Sequence, residues 1–323
     1  ALQQCRESLY IPSLTSKKLS TLLHACIYQM TGNAQLADIL TGIDANRSCS
    51  ISYCSYPVYR LQTQYLETVR QLSADLARLF QIREDSQNFG SLKAPTAITV
   101  TSIFAYLYAQ CIKAMHEFDV IAAYNHYNIW LWHILLLFTG ARPVKDFPGF
   151  LKDFNLDQGW FWVSDKEIHG RNEDGRILPL CSFLRNELKC YLAYLQRNAS
   201  SLEALVGNAI RHINEILDST KPLLAVYVDH QWQSLSPAIV AEFTEAMQLE
   251  QANWLRHTTR AFLTGKAEEP LILALFGHEK NQQEMGNAYS SLALNTYRTL
   301  ANTLEEMKDF FQIDGMGGES KDF

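Results

Sequence analysis

The sequence predicts a mainly α fold: a larger helical domain carrying a small β-hairpin or sheet, preceded by a smaller all-helical domain. Three observations carry this. Residues 120–139 end in the apolar run Ile129 to Phe138 and have almost no polar face, the mark of a helix at the centre of a domain. Residues 58–83 place Leu61, Tyr65, Leu66, Val69, Leu72, Leu76, Leu79 and Phe80 on one broad helical stripe. Only 160–164 and 176–180 combine strand-forming residues with an intervening stretch of turn residues, 170–175, which predicts a hairpin.

The other elements follow from periodicity and punctuation. Residues 17–30 form an amphipathic helix stopped by Thr31-Gly32-Asn33, and a shorter one covers 34–41. Ser, Asn, Asp and Cys crowd 43–57, which predicts a loop. The chain divides into a helical domain (1–90), a Gly-, Ser- and Pro-containing linker (91–99), a large domain (100–312) and a polar, Gly-rich flexible tail (313–323). Within the large domain, helices are predicted over 100–118, 120–139, 182–197, 201–217, 237–247, 254–263, 268–275 and 293–311, with an irregular piece around 219–236. The last helix is amphipathic, with Leu300, Leu304, Met307 and Phe310/Phe311 on one side.

With 47% hydrophobic and 19% charged residues the chain belongs with globular proteins and not with disordered ones. Its longest apolar run is too short to span a bilayer, and the first residues lack a basic segment followed by an apolar core, so neither membrane association nor a secretory leader is expected. Seven scattered cysteines with no Cys-x-x-Cys point to reduced thiols and a cytoplasmic location, with no structural metal. The net charge of −6 does not by itself suggest a polyanionic partner. Its distribution is uneven: residues 1–97 hold nine basic and seven acidic side chains, and from Glu305 onward six acids face two lysines.

Chemistry-bearing residues gather in two places. Leu137-Phe138-Thr139-Gly140-Ala141-Arg142-Pro143 ends the apolar helix with an arginine. Between 254 and 289 come Trp254-Leu255-Arg256-His257-Thr258-Thr259-Arg260, then Phe276-Gly277-His278, then Ala288-Tyr289. Residues three apart on a helix share a face, so His257 and Arg260 are expected to address one anion together. Arginine is the side chain best shaped to hold non-bridging phosphate oxygens.

In order and separation these residues resemble the catalytic set of the tyrosine recombinase (phage-type integrase) family: an arginine in a Thr-Gly-x-Arg turn, a hairpin lysine, a His-x-x-Arg helix, a Gly-His turn and a late tyrosine. The resemblance implies a catalytic domain over 100–312 and a DNA-binding arm before it. It also implies site-specific cleavage and rejoining of double-stranded DNA through a 3′-phosphotyrosine, assembly as a homotetramer on DNA, and no cofactor. Carried over residue by residue, Tyr289 is the nucleophile, Arg142 and Arg260 hold the phosphate, His257 is the acid/base, His278 hydrogen-bonds the phosphate and Lys166 protonates the leaving 5′-oxygen. Arg171 is the alternative to Lys166, and Tyr297 the rival to Tyr289.

Two departures from the pattern keep other readings open. The acidic residue usual three positions after the first arginine is Lys145, with Asp146 one later, and Tyr289 lies about two residues further from Gly-His than is usual. The alternatives are a recombinase-fold DNA-binding protein that has lost its chemistry and a type IB topoisomerase-like DNA relaxer.

Overall fold

The computed structural model describes residues 15–43, 53, 55–82, 88–91, 93–164, 175–247, 253–278 and 293–317. The fold is mainly α with small antiparallel sheets, as the sequence predicts. Two compact units are present, residues 1–92 with 264–269 and residues 93–263 with 270–323.

In the first unit, α1 (Ser16–Thr31) is started by Thr15, whose hydroxyl accepts from the Lys18 amide, and ended by Gly32 in the left-handed region. Asn33 then caps α2 (Ala34–Leu40) and donates to the Tyr56 hydroxyl at 2.9 Å. A small core of Ile27, Leu36, Ala37, Tyr56 and Leu61 results. This unit is not all-helical: β1 (Ser55–Pro57) pairs antiparallel with β2 (Asn88–Gly90), strands too short to show alternation in sequence. The helix expected over 58–83 is also divided. It forms α3 (Val58–Leu72) and α4 (Ala74–Ala77), because Ser73 is extended (φ −162°, ψ 118°) and turns its hydroxyl to the Leu76 amide.

The second unit is built on a helical hairpin, α5 (Ala97–His116) and α6 (Val120–Thr139), joined at Phe118 (φ 57°) and recapped by Asp119. Among the described residues α5 alone is long and apolar enough to cross a bilayer, by length and composition only; it packs along α6. The expected central role of α6 holds. Tyr124, Tyr127, Trp130, Leu131, Trp132 and the run to Phe138 are all buried. His133 lies among them with Nδ1 2.7 Å from the Ile129 carbonyl. A carbonyl only accepts, so Nδ1 carries the proton, and burial pushes the ring's pKa down to about 4.

Two asparagines on α6 organise what surrounds it. Asn125 donates to the Tyr227 carbonyl and accepts from the Tyr227 amide, at 2.9 and 2.8 Å, as a neighbouring strand would. Asn128 accepts from the Tyr191 hydroxyl and the Ala225 amide while donating to the Tyr124 carbonyl. These contacts seat a hairpin, β6 (Ala225–Val228) and β7 (Gln231–Ser234), where the sequence predicted an irregular piece. Its two-residue turn, Asp229-His230, has both φ values positive (51° and 63°), the geometry of hairpin turns that usually carry Asn-Gly. Asn128→Leu, similar in size, is expected to cost about 2 kcal/mol in chemical denaturation, because the Ala225 amide loses its acceptor inside the core while Tyr191 keeps the Leu223 carbonyl.

The strands of the predicted hairpin, β4 (Trp160–Val163) and β5 (Arg176–Pro179), pair antiparallel with Trp160 opposite Pro179 and Val163 opposite Arg176, and β3 (Phe154–Asn155) pairs on the other side of β4; residues 165–174 lie outside the described residues. From β5 the chain enters α7 (Ser182–Val206), a single helix where two were expected. Its break comes not near residue 200 but at Gly207 (φ 76°), followed by α8 (Ala209–Leu217). Burial of Tyr194, Leu195 and Leu202 outweighs the weak helix propensity of Ser200-Ser201.

After α9 (Pro237–Thr244) come α10 (Trp254–Leu263), α11 (Glu269–Phe276) and α12 (Leu294–Phe310). The apolar face of α12, Tyr297, Leu300, Leu304 and Met307, is buried on its own unit, against α6, α7 and β5. Of the expected flexible tail, residues 313–317 are packed, and 318–323 lie outside the described residues. Ile313 and Met316 are buried, and the Met316 amide donates to the Glu187 carboxylate at 2.9 Å. Burial pushes Glu187 up to about 7, against the pull of the Met316 and Gly317 amides and the Lys308 charge.

Candidate active site

Three helix ends meet at one buried guanidinium. The first is the end of α6, where Gly140 takes a left-handed conformation (φ 60°) and its amide closes on the Leu136 carbonyl. A side chain there is disfavoured twice, by that φ and because a Cβ would lie 3.1 Å from the Phe276 ring. The second is the end of α11, where Gly277 is also left-handed, its amide bonds the Ala274 carbonyl and the His278 amide bonds the Leu273 carbonyl, the six-to-one closure of a Schellman motif. The third is the first turn of α10, anchored on α6 by the Thr259 hydroxyl, which donates to the Leu137 carbonyl at 2.6 Å.

Arg256, from that first turn, donates through Nη1 to the Gly140 carbonyl and through Nη2 to the Phe276 carbonyl at 2.6 Å. Its Nη2 also lies 3.4 Å from His278 Nε2, and its guanidinium carbon sits 4.4 Å from the centre of the Phe276 ring. A guanidinium only donates, so this contact calls for the His278 tautomer with the proton on Nδ1. Both carbonyls terminate helices, where the helix dipole is negative, and so a cation is stabilised there. Arg256 is wholly buried.

The structure thus brings together the Thr-Gly-x-Arg turn, the arginine-bearing helix and the Gly-His turn, but through an arginine the sequence reading passed over. Arg260 lies one turn further along α10, buried, with its guanidinium carbon 5.8 Å from the same Phe276 ring. His257 is buried too, and its pKa is pushed down to about 4, first by desolvation and then by the charges of Lys93 and Arg256. It is therefore neutral at pH 7, with one ring N–H and one unprotonated nitrogen. Arg142 is half-buried, and since two residues of chain span at most ~7 Å it starts no further than that from Gly140. Of the two residues weighed for the acidic position, Lys145 is exposed, whereas Asp146 is half-buried in the left-handed region (φ 62°), its amide on the Leu235 carbonyl.

Lys166, Arg171 and Tyr289 lie outside the described residues. Tyr297, the rival nucleophile, is 3% exposed on the packed face of α12, which gives it a core position. Among the described residues no group of three or more His, Cys, Asp and Glu side chains is placed to hold a metal ion. Comparison of the chain with protein-family models, with curated proteins and with solved structures finds no match.

The signal for Arg256 was present in the sequence. The four-residue pattern read as His257-x-x-Arg260 also fits one turn earlier as Asn253-Trp254-Leu255-Arg256, with asparagine in the histidine position. Helix geometry alone does not separate the two, since residues 256 and 260 share a face; the Gly140 and Phe276 carbonyls do.

Proposed function

We propose that the chain is a DNA-breaking and rejoining enzyme of the tyrosine recombinase type, acting on double-stranded DNA through a 3′-phosphotyrosine and assembling as a homotetramer on its substrate. The observation that carries the reading is the meeting of Arg256, His278 and the Gly140 turn that leads into Arg142. These are the groups a phosphodiester in the transition state requires, cations and hydrogen-bond donors arranged before the substrate arrives.

In this reading Tyr289 attacks phosphorus as the bond to the 5′-oxygen breaks. A neutral imidazole takes the phenolic proton, and Lys166 returns a proton to the leaving oxygen. Arg142 holds the non-bridging oxygens, with Arg256 positioning the turns beside it through the Gly140 and Phe276 carbonyls and Arg260 behind them against Phe276. His278 hydrogen-bonds the phosphate, and His257, neutral at pH 7, is the candidate proton acceptor.

A second reading, a DNA-binding protein of this fold without the chemistry, is favoured by one feature: Asn253 in the histidine position bonds but does not transfer protons. A suicide DNA substrate, which traps the covalent intermediate, separates the two. The native protein is expected to form an adduct that resists denaturant and that Tyr289→Phe abolishes. Duplex binding without any adduct supports the second reading, and an adduct that persists in Tyr289→Phe removes the assignment of the nucleophile.

A further inference from the structure

We propose that the second unit carries a binding site for a small phosphate-bearing ligand, between the base of the β-hairpin and the start of the last helix. A cavity of about 190 Å³ opens there, bounded by the turn Gln158-Gly159-Trp160, the start of α7 and the first turns of α12. Two guanidinium groups line it, Arg185 from α7 and Arg298 from α12, and no acidic side chain does. Neither arginine makes an ion pair among the described residues, and Arg185 Nε is buried without a hydrogen-bond partner.

The frame around Arg185 is specific. Gly159 is left-handed (φ 77°), and a Cβ there would lie 3.2 Å from Arg185 Nη1 and 3.3 Å from the Leu180 carbonyl, so glycine leaves the space the guanidinium occupies. The turn is closed by the Gly159 amide on the Asn155 carbonyl and the Leu180 amide on the Gly159 carbonyl, both at 2.9 Å. Glu305 accepts the Phe183 amide at 2.9 Å, so the start of α7 already has its anion, and the guanidinium groups are left to bind the ligand. Ser182 and Asn302 add neutral hydrogen-bonding groups to the wall.

Two arginine forks from different helices suit a tetrahedral dianion, which has terminal oxygens for both; a carboxylate's two oxygens fill one fork. The cavity is separate from the candidate active site. It lies at the Trp160/Pro179 end of the hairpin, about three strand residues or roughly 10 Å from the Val163/Arg176 end. At that other end Arg176 Nε donates to the Leu275 carbonyl beside the Gly-His turn. A ligand gripped by Arg185 and Arg298 ties the second turn of α12 to α7, and α12 is the helix that follows the segment bearing Tyr289.

The test is thermal unfolding of the whole chain in inorganic phosphate against chloride at equal ionic strength, for the native protein, Arg298→Gln and Arg185→Gln/Arg298→Gln. The native protein is expected to show a saturable rise in midpoint of about 4 °C at ten times the dissociation constant, weakened in the single variant and absent in the double. Exposed Arg298 makes the single variant safe for folding. A rise that does not saturate, or that the double variant shares, is the general effect of phosphate as a solute and overturns the site. Duplex DNA forms the second arm: weaker DNA binding by Arg298→Gln with no saturable response to phosphate overturns the small-ligand assignment in favour of a backbone phosphate. Neither arm depends on cleavage, so failure here is distinct from failure of the recombinase reading.

Discussion

Arg256→Lys is expected to slow formation of the covalent DNA adduct about 10²- to 10³-fold and to lower the stability of the protein by about 3 kcal/mol. A lysine ammonium is a single point and cannot span the Gly140 and Phe276 carbonyls, which the guanidinium reaches with two separate nitrogens. One helix end is therefore left with a buried, unanswered carbonyl, and His278 loses the neighbour that sets its tautomer. The stability loss is read from denaturant unfolding and the rate from single-turnover trapping on the suicide substrate, under conditions where the variant is fully folded. A loss of stability with an unchanged trapping rate would make Arg256 a clamp between helices and nothing more, and would take away the observation on which the catalytic reading stands.

The second large effect is a pH dependence set by Glu187. Its folded pKa, about 7, is above the ordinary carboxylate value of 4.5. A carboxyl raised on folding stabilises the folded state below its unfolded pKa, and that contribution is lost as the pH rises through the folded value. The 2.5-unit difference corresponds to about 3 kcal/mol, lost between about pH 4.5 and pH 8. Glu187→Gln keeps an acceptor for the Met316 amide and removes the charge. The variant is therefore expected to be the more stable form at pH 8 and to show a flatter stability profile across that window. Equal slopes for native and variant would show that Glu187 is solvated in solution and that residues 313–317 are not held over it.

Most of the architecture was legible in the pattern of apolar residues, and the exceptions have local causes. The α6 helix was plain because nothing along 129–138 offers a face to water. The division of α3 from α4 was hidden because one serine hydroxyl, and not a glycine or proline, ends the stripe. The β6–β7 hairpin was missed because Asp229-His230 occupies a turn that sequence rules assign to Asn-Gly, and because its docking depends on asparagines a hundred residues away. At the site, the turns at Gly140 and Gly277 were visible from their glycines. The choice between Arg256 and Arg260 was not, since both lie on one face of α10 and only the positions of the α6 and α11 carbonyls distinguish them. Residues 313–317 differ from the expectation for the opposite reason: their glycines suggest freedom, yet Gly315 sits close against the Glu187 carboxylate, where a side chain would not fit.

The pairing of Asn125 with Tyr227 has a bearing on solubility. A lone two-stranded ribbon leaves an open border to which a strand from another molecule can add, the usual beginning of aggregation. Here the amide of a helix side chain takes both backbone valences of Tyr227 and stands in for the absent third strand. The border is sealed by one residue from within the same chain, and the self-association that short sheets otherwise resist with charge or proline is prevented at that point by an asparagine.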